Sequence, residues 1–402
     1  MNQRSLFLLL LVAYPLSGAF EVMDNLLGLR ELNFESSAPG WIKILKELVL
    51  IYLLIFLAWQ RRGRVSMSGL LFAFFFALIL VVPSAMLNEA TSARIGFSYL
   101  VASILLLLVC TEVAGAVEVG TLLKYFLSPL VVVILATQLL EIALAPVSLY
   151  HEDSLLGLDR RAGIAVIPTT AGCIGALAVF ALRGWTRWVA LLVVIVANST
   201  TGWACMLLLA LWRSSRWRHT LLLYLPLTTA MLIAVVLSRA GFETSVDARL
   251  ALVEDSYAEL RFWVPSAIGA LATAKSVAID PINSLIADST MLEFVHVFGV
   301  LPGFALFFAV AFTLFRTCGS RGLVFFLVAS SGFLLIESWT VSALMIFVLA
   351  VDNGKTYRKT ADATRKRVTK ISPASAAATR TPSFPSDHAR PSGHNSHLTT
   401  SG

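Results

Sequence analysis

Long apolar runs broken by short polar clusters set the rhythm of this chain from near its start to about residue 351. The apolar runs fall at 6–22, 42–59, 67–87, 95–111, 122–146, 163–182, 219–237 and 292–315. Most approach the ~20 residues that carry a helix across a bilayer. Within lipid no water satisfies backbone N–H and C=O groups, so such a pattern folds as helices. The expected fold is therefore all-α, a polytopic transmembrane helix bundle. The first run follows Arg4 and ends in the small residues of LSGAF. It is read as a retained helix in preference to a cleaved signal segment.

Two longer runs, WVALLVVIVANSTTGWACMLLLALW (188–212) and LVFFLVASSGFLLIESWTVSALMIFVLA (323–350), have basic flanks at both ends: Arg183 and Arg187 with Arg213, Arg216 and Arg218, then Arg316 and Arg321 with the basic tail. Cytoplasmic loops collect Lys and Arg, so each run is predicted to be a hairpin of two short helices with an outward polar tip, NSTTG (198–202) and ESW (337–339). The total becomes about twelve helices with both chain ends in the cytoplasm. On that topology roughly two-thirds of the 31 Lys and Arg lie on the inner side. The segment TEVAGAVEVGTLLKY (111–125) becomes an inner loop despite its two glutamates and single lysine.

Composition sharpens this picture. Hydrophobic residues make up 57%, charged residues 14%, and mean hydropathy is +0.81. A soluble domain holds roughly 45–50% apolar residues, so soluble classes are excluded. The net charge of +7 reports topology here and gives no sign of a nucleic-acid partner. Cys110, Cys173, Cys205 and Cys318 are scattered without disulfide or zinc spacing and are expected to be inert thiols. Residues 1–351 form the membrane domain. The tail, 352–402, opens with KTYRKTADATRKRVTK and continues in Ser, Thr, Ala, Pro and His. It lacks the apolar content for a core and is expected to be a disordered cytoplasmic tail, its basic start lying on anionic inner-leaflet lipid. His388, His394 and His397 are unevenly spaced there and expected to be solvated.

Candidate chemistry lies where polar residues collect. The longest segment outside the membrane, 238–291, includes DARLALVEDSYAELRFW. Leu250, Leu252, Val253 and Tyr257 recur near one face at helical intervals, which predicts an amphipathic helix along the outer surface, with Glu254, Asp255 and Glu259 solvating its other side. Arg249 and Arg261 stand beside apolar or aromatic residues, where a guanidinium suits bidentate capture of phosphate. They are candidate pyrophosphate clamps, with snorkelling or surface pairing as the alternative. Asp159, Arg160 and Arg161 precede a predicted helix containing Gly163, Pro168, Gly172 and Gly175. Either the arginines await an anionic ligand, or they pair with Glu152, Asp153 and Asp159. Pro168 beside Thr169 and Thr170 predicts a kinked or broken helix, which membranes accommodate where it is buried in protein or lines a wet cavity.

The last cluster is IADSTMLEFVHVFGVLPGF (286–304). Asp288 or Ser289 would cap a helix starting there. Glu293 and His296, three apart, would share one face about a turn inside the boundary. Ionisable groups at that depth are costly, which makes them functional suspects. His296 is a candidate base, oriented by Glu293 or Asp288, any of which can serve in its place; a buried structural hydrogen bond is the rival reading.

Three of these stretches together resemble the O-antigen polymerase and O-antigen ligase family of envelope glycosyltransferases: RRAGIAVIP (160–168), NSTTG (198–202) and DSTMLEFVHVFGVLPGF (288–304). The ligase-like His-Asn pair before the late helix is absent, Asp288-Ser289 standing in its place, which favours a polymerase similar to the xanthan type. The resemblance implies a GT-C-like, metal-independent and cofactor-free transferase with one large periplasmic loop. It would join oligosaccharide units carried on undecaprenyl pyrophosphate at the periplasmic face of a bacterial inner membrane. Its partners would be that lipid-linked substrate, membrane lipids, and the chain-length regulator and flippase of the same pathway. A ligase to lipid A core and, from another class, a lipid-linked oligosaccharide flippase or transporter are the competing functions. No inverted repeat or mid-bilayer cluster of ionisable residues supports alternating access. A structural partner within a polysaccharide-assembly complex is the remaining option.

Overall fold

A computed structural model describes residues 119–144, 159–165, 167–213, 300–332 and 344–349, with isolated helical positions at 8, 19, 22, 23, 26, 45, 48, 52, 290, 291, 294 and 295. Everything regular among the described residues is helical, with no strand. Two runs, Gly120–Leu144 and Val300–Ser330, are long and apolar enough to cross a membrane. The twelve-helix count extends beyond the described residues. So do the ESW tip, the amphipathic segment 238–289 and the tail.

Helix α1 (Ser128–Leu144) is continued upstream by a π-helical stretch, Leu123–Leu127, and a helical turn, Val119–Leu122. Pro129 explains the π-stretch. Its ring donates no hydrogen bond and crowds the carbonyl four residues back, at Tyr125, so the ladder widens there. The N–H of Ser128 accordingly reaches back to the carbonyl of Leu123. The inner loop expected over 111–125 is thus partly helix: Lys124 lies in the π-stretch, its Nζ 5.3 Å from the Tyr125 ring centroid. Its aliphatic stem lets it reach past the apolar face around it.

The run at 163–182 becomes a shorter helix than expected. Gly163–Ala165 form a 3₁₀ turn, Ile167 is extended, and α2 (Pro168–Ala181) starts with its proline in the first turn. The break predicted at Pro168 is present, because a proline is tolerated where its missing N–H would be unsatisfied in any case. Helix α3 (Trp185–Ala197) and helix α4 (Thr200–Arg213) are separated at Asn198–Ser199, so the predicted break within 188–213 is also found. Asn198 takes the left-handed conformation, φ 47°, that ends α3. The Oγ of Ser199 accepts the Gly202 N–H at 3.3 Å and caps α4. Each of these three helices rises only about 20 Å, less than the ~30 Å hydrocarbon core.

Both α3 and α4 lean on α2, which is buried from Pro168 to Val179. Glycines make the approach possible. A Cβ on Gly175 would stand 2.7 Å from Val194 Cγ2, and one on Gly202 2.7 Å from the Cα of Gly172. Lipid gives helices no hydrophobic reason to associate, so close backbone contact at small residues supplies the packing. Beside the Gly172–Gly202 crossing, Cys173 of α2 and Cys205 of α4 are both buried, reduced thiols. Diamide treatment is expected to join them, the reagent taking up the two electrons and two protons that the thiols release. A dithiothreitol-reversible 173–205 peptide by mass spectrometry is the readout. Unchanged alkylation of both cysteines would contradict the α2–α4 packing.

Helix α5 (Val300–Gly332) is broken at Gly319, φ 71°. The rings of Phe307 and Phe326 are 5.3 Å apart, whereas an unbroken helix would separate them by about 28 Å. The chain therefore folds back at Gly319, between Arg316 and Arg321. This agrees with the expected end of one run near 315 and the start of the next near 322. The guanidinium of Arg321 lies 6.0 Å from the Phe180 ring, which places the turn beside the C-terminal end of α2. The Cys318 thiol donates to the carbonyl of Ile346 at 3.9 Å, so the buried stretch 344–349 returns to the same neighbourhood, as a hairpin over 322–351 requires.

Candidate functional site: a polar clasp on the ends of α1 and α3

Residues 159–165 are held from two sides. On α1, the hydroxyl of Thr137 accepts the Ile164 N–H at 3.1 Å, Gln138 Nε2 donates to the Arg161 carbonyl at 2.9 Å, and Glu141 Oε2 accepts the Gly163 N–H at 3.2 Å. On α3, the carbonyl of Val196 accepts the Arg161 N–H at 3.2 Å. That carbonyl belongs to the last turn of the helix, where no intrahelical donor reaches it. Gly163 makes this fit possible through its φ of 56° and its lack of a side chain, since a Cβ would stand 2.5 Å from Thr137 Oγ1 and 2.9 Å from the Ile134 carbonyl. It lies in the turn and not in the helix where the sequence put it.

The guanidinium of Arg161 is buried. Its Nη2 meets Asp159 Oδ2 at 3.1 Å and its Nη1 reaches the Glu141 carbonyl at 3.5 Å, a long contact, while Nε has no hydrogen-bond partner. Of the two sequence readings, pairing with Asp159 holds for Arg161. Arg160 is only half-buried and stands on the same non-helical segment. Two guanidinium groups and two carboxylates, Asp159 and Glu141, gather within this short stretch of fold. Each offsets charge that would be costly alone in an apolar setting.

The bond from Arg161 to Val196 has a second effect. Val196 lies two residues before Asn198, so RRAGIAVIP and NSTTG meet at one end of the helices. Asn198 and Ser199 are buried there. Arg183, Arg187, Arg316 and Arg321 lie at the other end, with the α2–α3 and Gly319 turns.

The third stretch departs from expectation. Instead of one helix running from Asp288 into the apolar span, the helical positions Phe294 and Val295 lie against the start of α5, where a Cβ on Gly303 would collide with the carbonyl of Phe294. In a continuous helix these residues would be separated by about 14 Å along the axis. Asp288, Glu293 and His296 fall outside the described residues, as do Arg249 and Arg261. Thr137, Gln138 and Glu141 were not singled out from sequence. Their signal was a lone carboxylate, Glu141, deep in the apolar run LATQLLEIAL. Among the described residues no three His, Cys, Asp or Glu side chains stand together as a metal site.

The fold and this end of it define a class: an all-helical chain with two apolar runs fit to cross a membrane and a buried ionic cluster beside two helix breaks. No family model, curated protein or solved structure matches the chain.

Proposed function

We propose that the chain is a membrane-embedded glycosyltransferase that polymerises oligosaccharide units carried on undecaprenyl pyrophosphate, with its active site on the periplasmic face of a bacterial inner membrane. The observation that carries this reading is the bond joining Arg161 to the end of α3, which brings the arginine pair to the Asn198–Ser199 turn. The distribution of the other arginines supports the sidedness. Arg183, Arg187, Arg316 and Arg321 suit the cytoplasmic side, leaving the clasp outside. The short helices α2, α3 and α4 support a recessed site, because broken helices at membrane depth line protein or a wet cavity.

In the proposed reaction an acceptor hydroxyl attacks the anomeric carbon of the growing chain, the bond to the lipid pyrophosphate breaks, and the pyrophosphate leaves with the electron pair. Charge developing on it needs donors already in place. Arg160, half-exposed, is assigned to that contact, with Arg249 and Arg261 as further clamps; Arg161, fastened to Asp159, holds the segment. His296, or Asp288 or Glu293, takes the hydroxyl proton.

A deletion strain complemented with Arg160→Ala tests the proposal. Polymer is expected to fall about 100-fold while single lipid-linked units accumulate on the periplasmic side, the scale of losing one donor to a developing anion. Intact polymer that never reaches lipid A core would assign a ligase instead, and units retained on the cytoplasmic side would assign a flippase.

A further inference from the structure

Charge is divided between the two ends of the described helices. Among the described residues the only Asp and Glu are Asp159 and Glu141, and both belong to the clasp. Basic residues gather at the opposite end. Helices α2 and α4 both leave the clasp end near the Gly172–Gly202 crossing, so Arg213, the last residue of α4, ends at about the level of Arg183. Arg187 in the first turn of α3, with Arg316 and Arg321 on either side of the Gly319 bend, completes the group. Arg183 and Arg316 are exposed, whereas Arg187 and Arg321 are half-buried, the latter against Phe180. That contact sets the α2–α3 turn and the Gly319 turn side by side.

Depth decides what such a group meets. Helices of about 20 Å fall short of the ~30 Å hydrocarbon core, so their arginine end stands below the usual boundary unless the bilayer thins around it. Either way guanidinium and lipid phosphate come together. Trp185 and Trp188, 66% and 59% exposed, flank Arg187 on the first turn of α3, and exposed indoles settle at headgroup level. Phe308, Phe312 and Phe315 recur along one exposed face of α5 that leads down to Arg316, offering apolar surface next to charge. A soluble anion would have no use for that surface; a lipid would. We infer that the α2–α3 turn and the Gly319 turn together bind the headgroups of acidic phospholipids, Arg183 and Arg316 taking the phosphate while Trp185, Trp188 and Phe315 lie against the acyl chains. A guanidinium fork suits phosphate oxygens, and the absence of a described carboxylate at this end leaves nothing to favour the cation of a zwitterionic headgroup. The surface is separate from the clasp, and it serves the chain whether or not that chain is a transferase.

Two measurements on the full chain decide it. In the first, the chain is reconstituted in phosphatidylcholine vesicles holding a minority of phosphatidylglycerol, extracted gently, and its retained lipid is quantified by mass spectrometry. Phosphatidylglycerol is expected to be enriched about fivefold or more over its share of the vesicle, the scale of one arginine at an anionic surface. Arg183→Gln combined with Arg316→Gln should bring it back to about that share. A chain whose Lys and Arg in 355–370 are changed to Gln is the control for the basic tail and should keep the enrichment. Enrichment that survives the double change, or that disappears with the tail charges alone, overturns the inference. Release of the retained lipid by inorganic phosphate would assign a soluble anion instead and overturn it equally. The second measurement needs no variant: phosphatidylglycerol added to the detergent-solubilised chain should raise its unfolding midpoint by about 3 °C, while phosphatidylcholine leaves it in place. Equal midpoints with the two lipids would refute a headgroup site.

Discussion

Gly202→Val is expected to remove most folded protein from the membrane. The Cβ it introduces would stand 2.7 Å from the Cα and 2.9 Å from the carbonyl carbon of Gly172, and both are backbone atoms. A side-chain tip can rotate away from such a collision; a helix axis has to move. Since Cys173, Cys205 and Met206 are packed and buried beside that crossing, moving it opens contacts along both helices. Overpacking of a rigid interior costs about 1–3 kcal/mol and occasionally more, and the absence of a flexible neighbour puts this case at about 3 kcal/mol or above. Thermal stability of the detergent-solubilised chain and its amount in the membrane are the measurements. Gly120→Ala is the control, since a Cβ there meets nothing within 4 Å, and it should change stability by less than about 0.5 kcal/mol. If Gly202→Val accumulates like the unsubstituted chain, the α2–α4 crossing described here is wrong.

The second large effect is expected at Gly163, where Ala should, on the transferase function proposed above, abolish polymer formation while reducing folded protein less than Gly202→Val does. Two costs combine. A φ of 56° disfavours any residue with a Cβ by roughly 1–2 kcal/mol. Separately, that Cβ would press on Thr137 Oγ1 and the Ile134 carbonyl, forcing the turn away from α1 and breaking the bonds from Gly163 to Glu141 and from Ile164 to Thr137. The turn lies at the end of α1 and α3, so its displacement leaves the buried flank of α2 largely intact. Gly163→Asn separates the two costs: asparagine tolerates the left-handed conformation, yet it carries the same Cβ. Activity close to normal in the Asn variant would show that the collision does not operate.

How far sequence reached into this molecule depended on whether the relevant interaction was local. The run expected at 122–146 is found as Gly120–Leu144, because an apolar stretch of that length specifies its own helix. The break at Asn198–Ser199 was readable since basic residues flank both ends of the run and the polar NSTTG interrupts it, and the turn between the runs ending near 315 and resuming near 322 since Arg316 and Arg321 stand there; that the turn falls on Gly319 was not. The 3₁₀ turn at Gly163–Ala165 escaped notice because Gly-Ile-Ala is as apolar as a helix start; only the clasp from α1 makes it a turn. The same holds for the register of α5, decided by Phe294 meeting Gly303. Arg160 and Arg161 were picked out as a pair with two possible fates, and the partner of Arg161, Asp159, was among those the sequence offered; its second contact, to the Glu141 carbonyl on a distant helix, leaves no trace in their own neighbourhood. Nothing about their spacing indicates that one would be buried and the other half-buried.

Parity turns on Gly319. Hydropathy alone counts Val300–Ser330 as one crossing, which would send every later residue to the far side of the bilayer. With the rings of Phe307 and Phe326 in contact across the bend, the same letters make an outward and a homeward limb, and the count becomes even. A reporter fused beyond residue 332 would thus give the opposite compartment from the one a plain tally of greasy segments assigns.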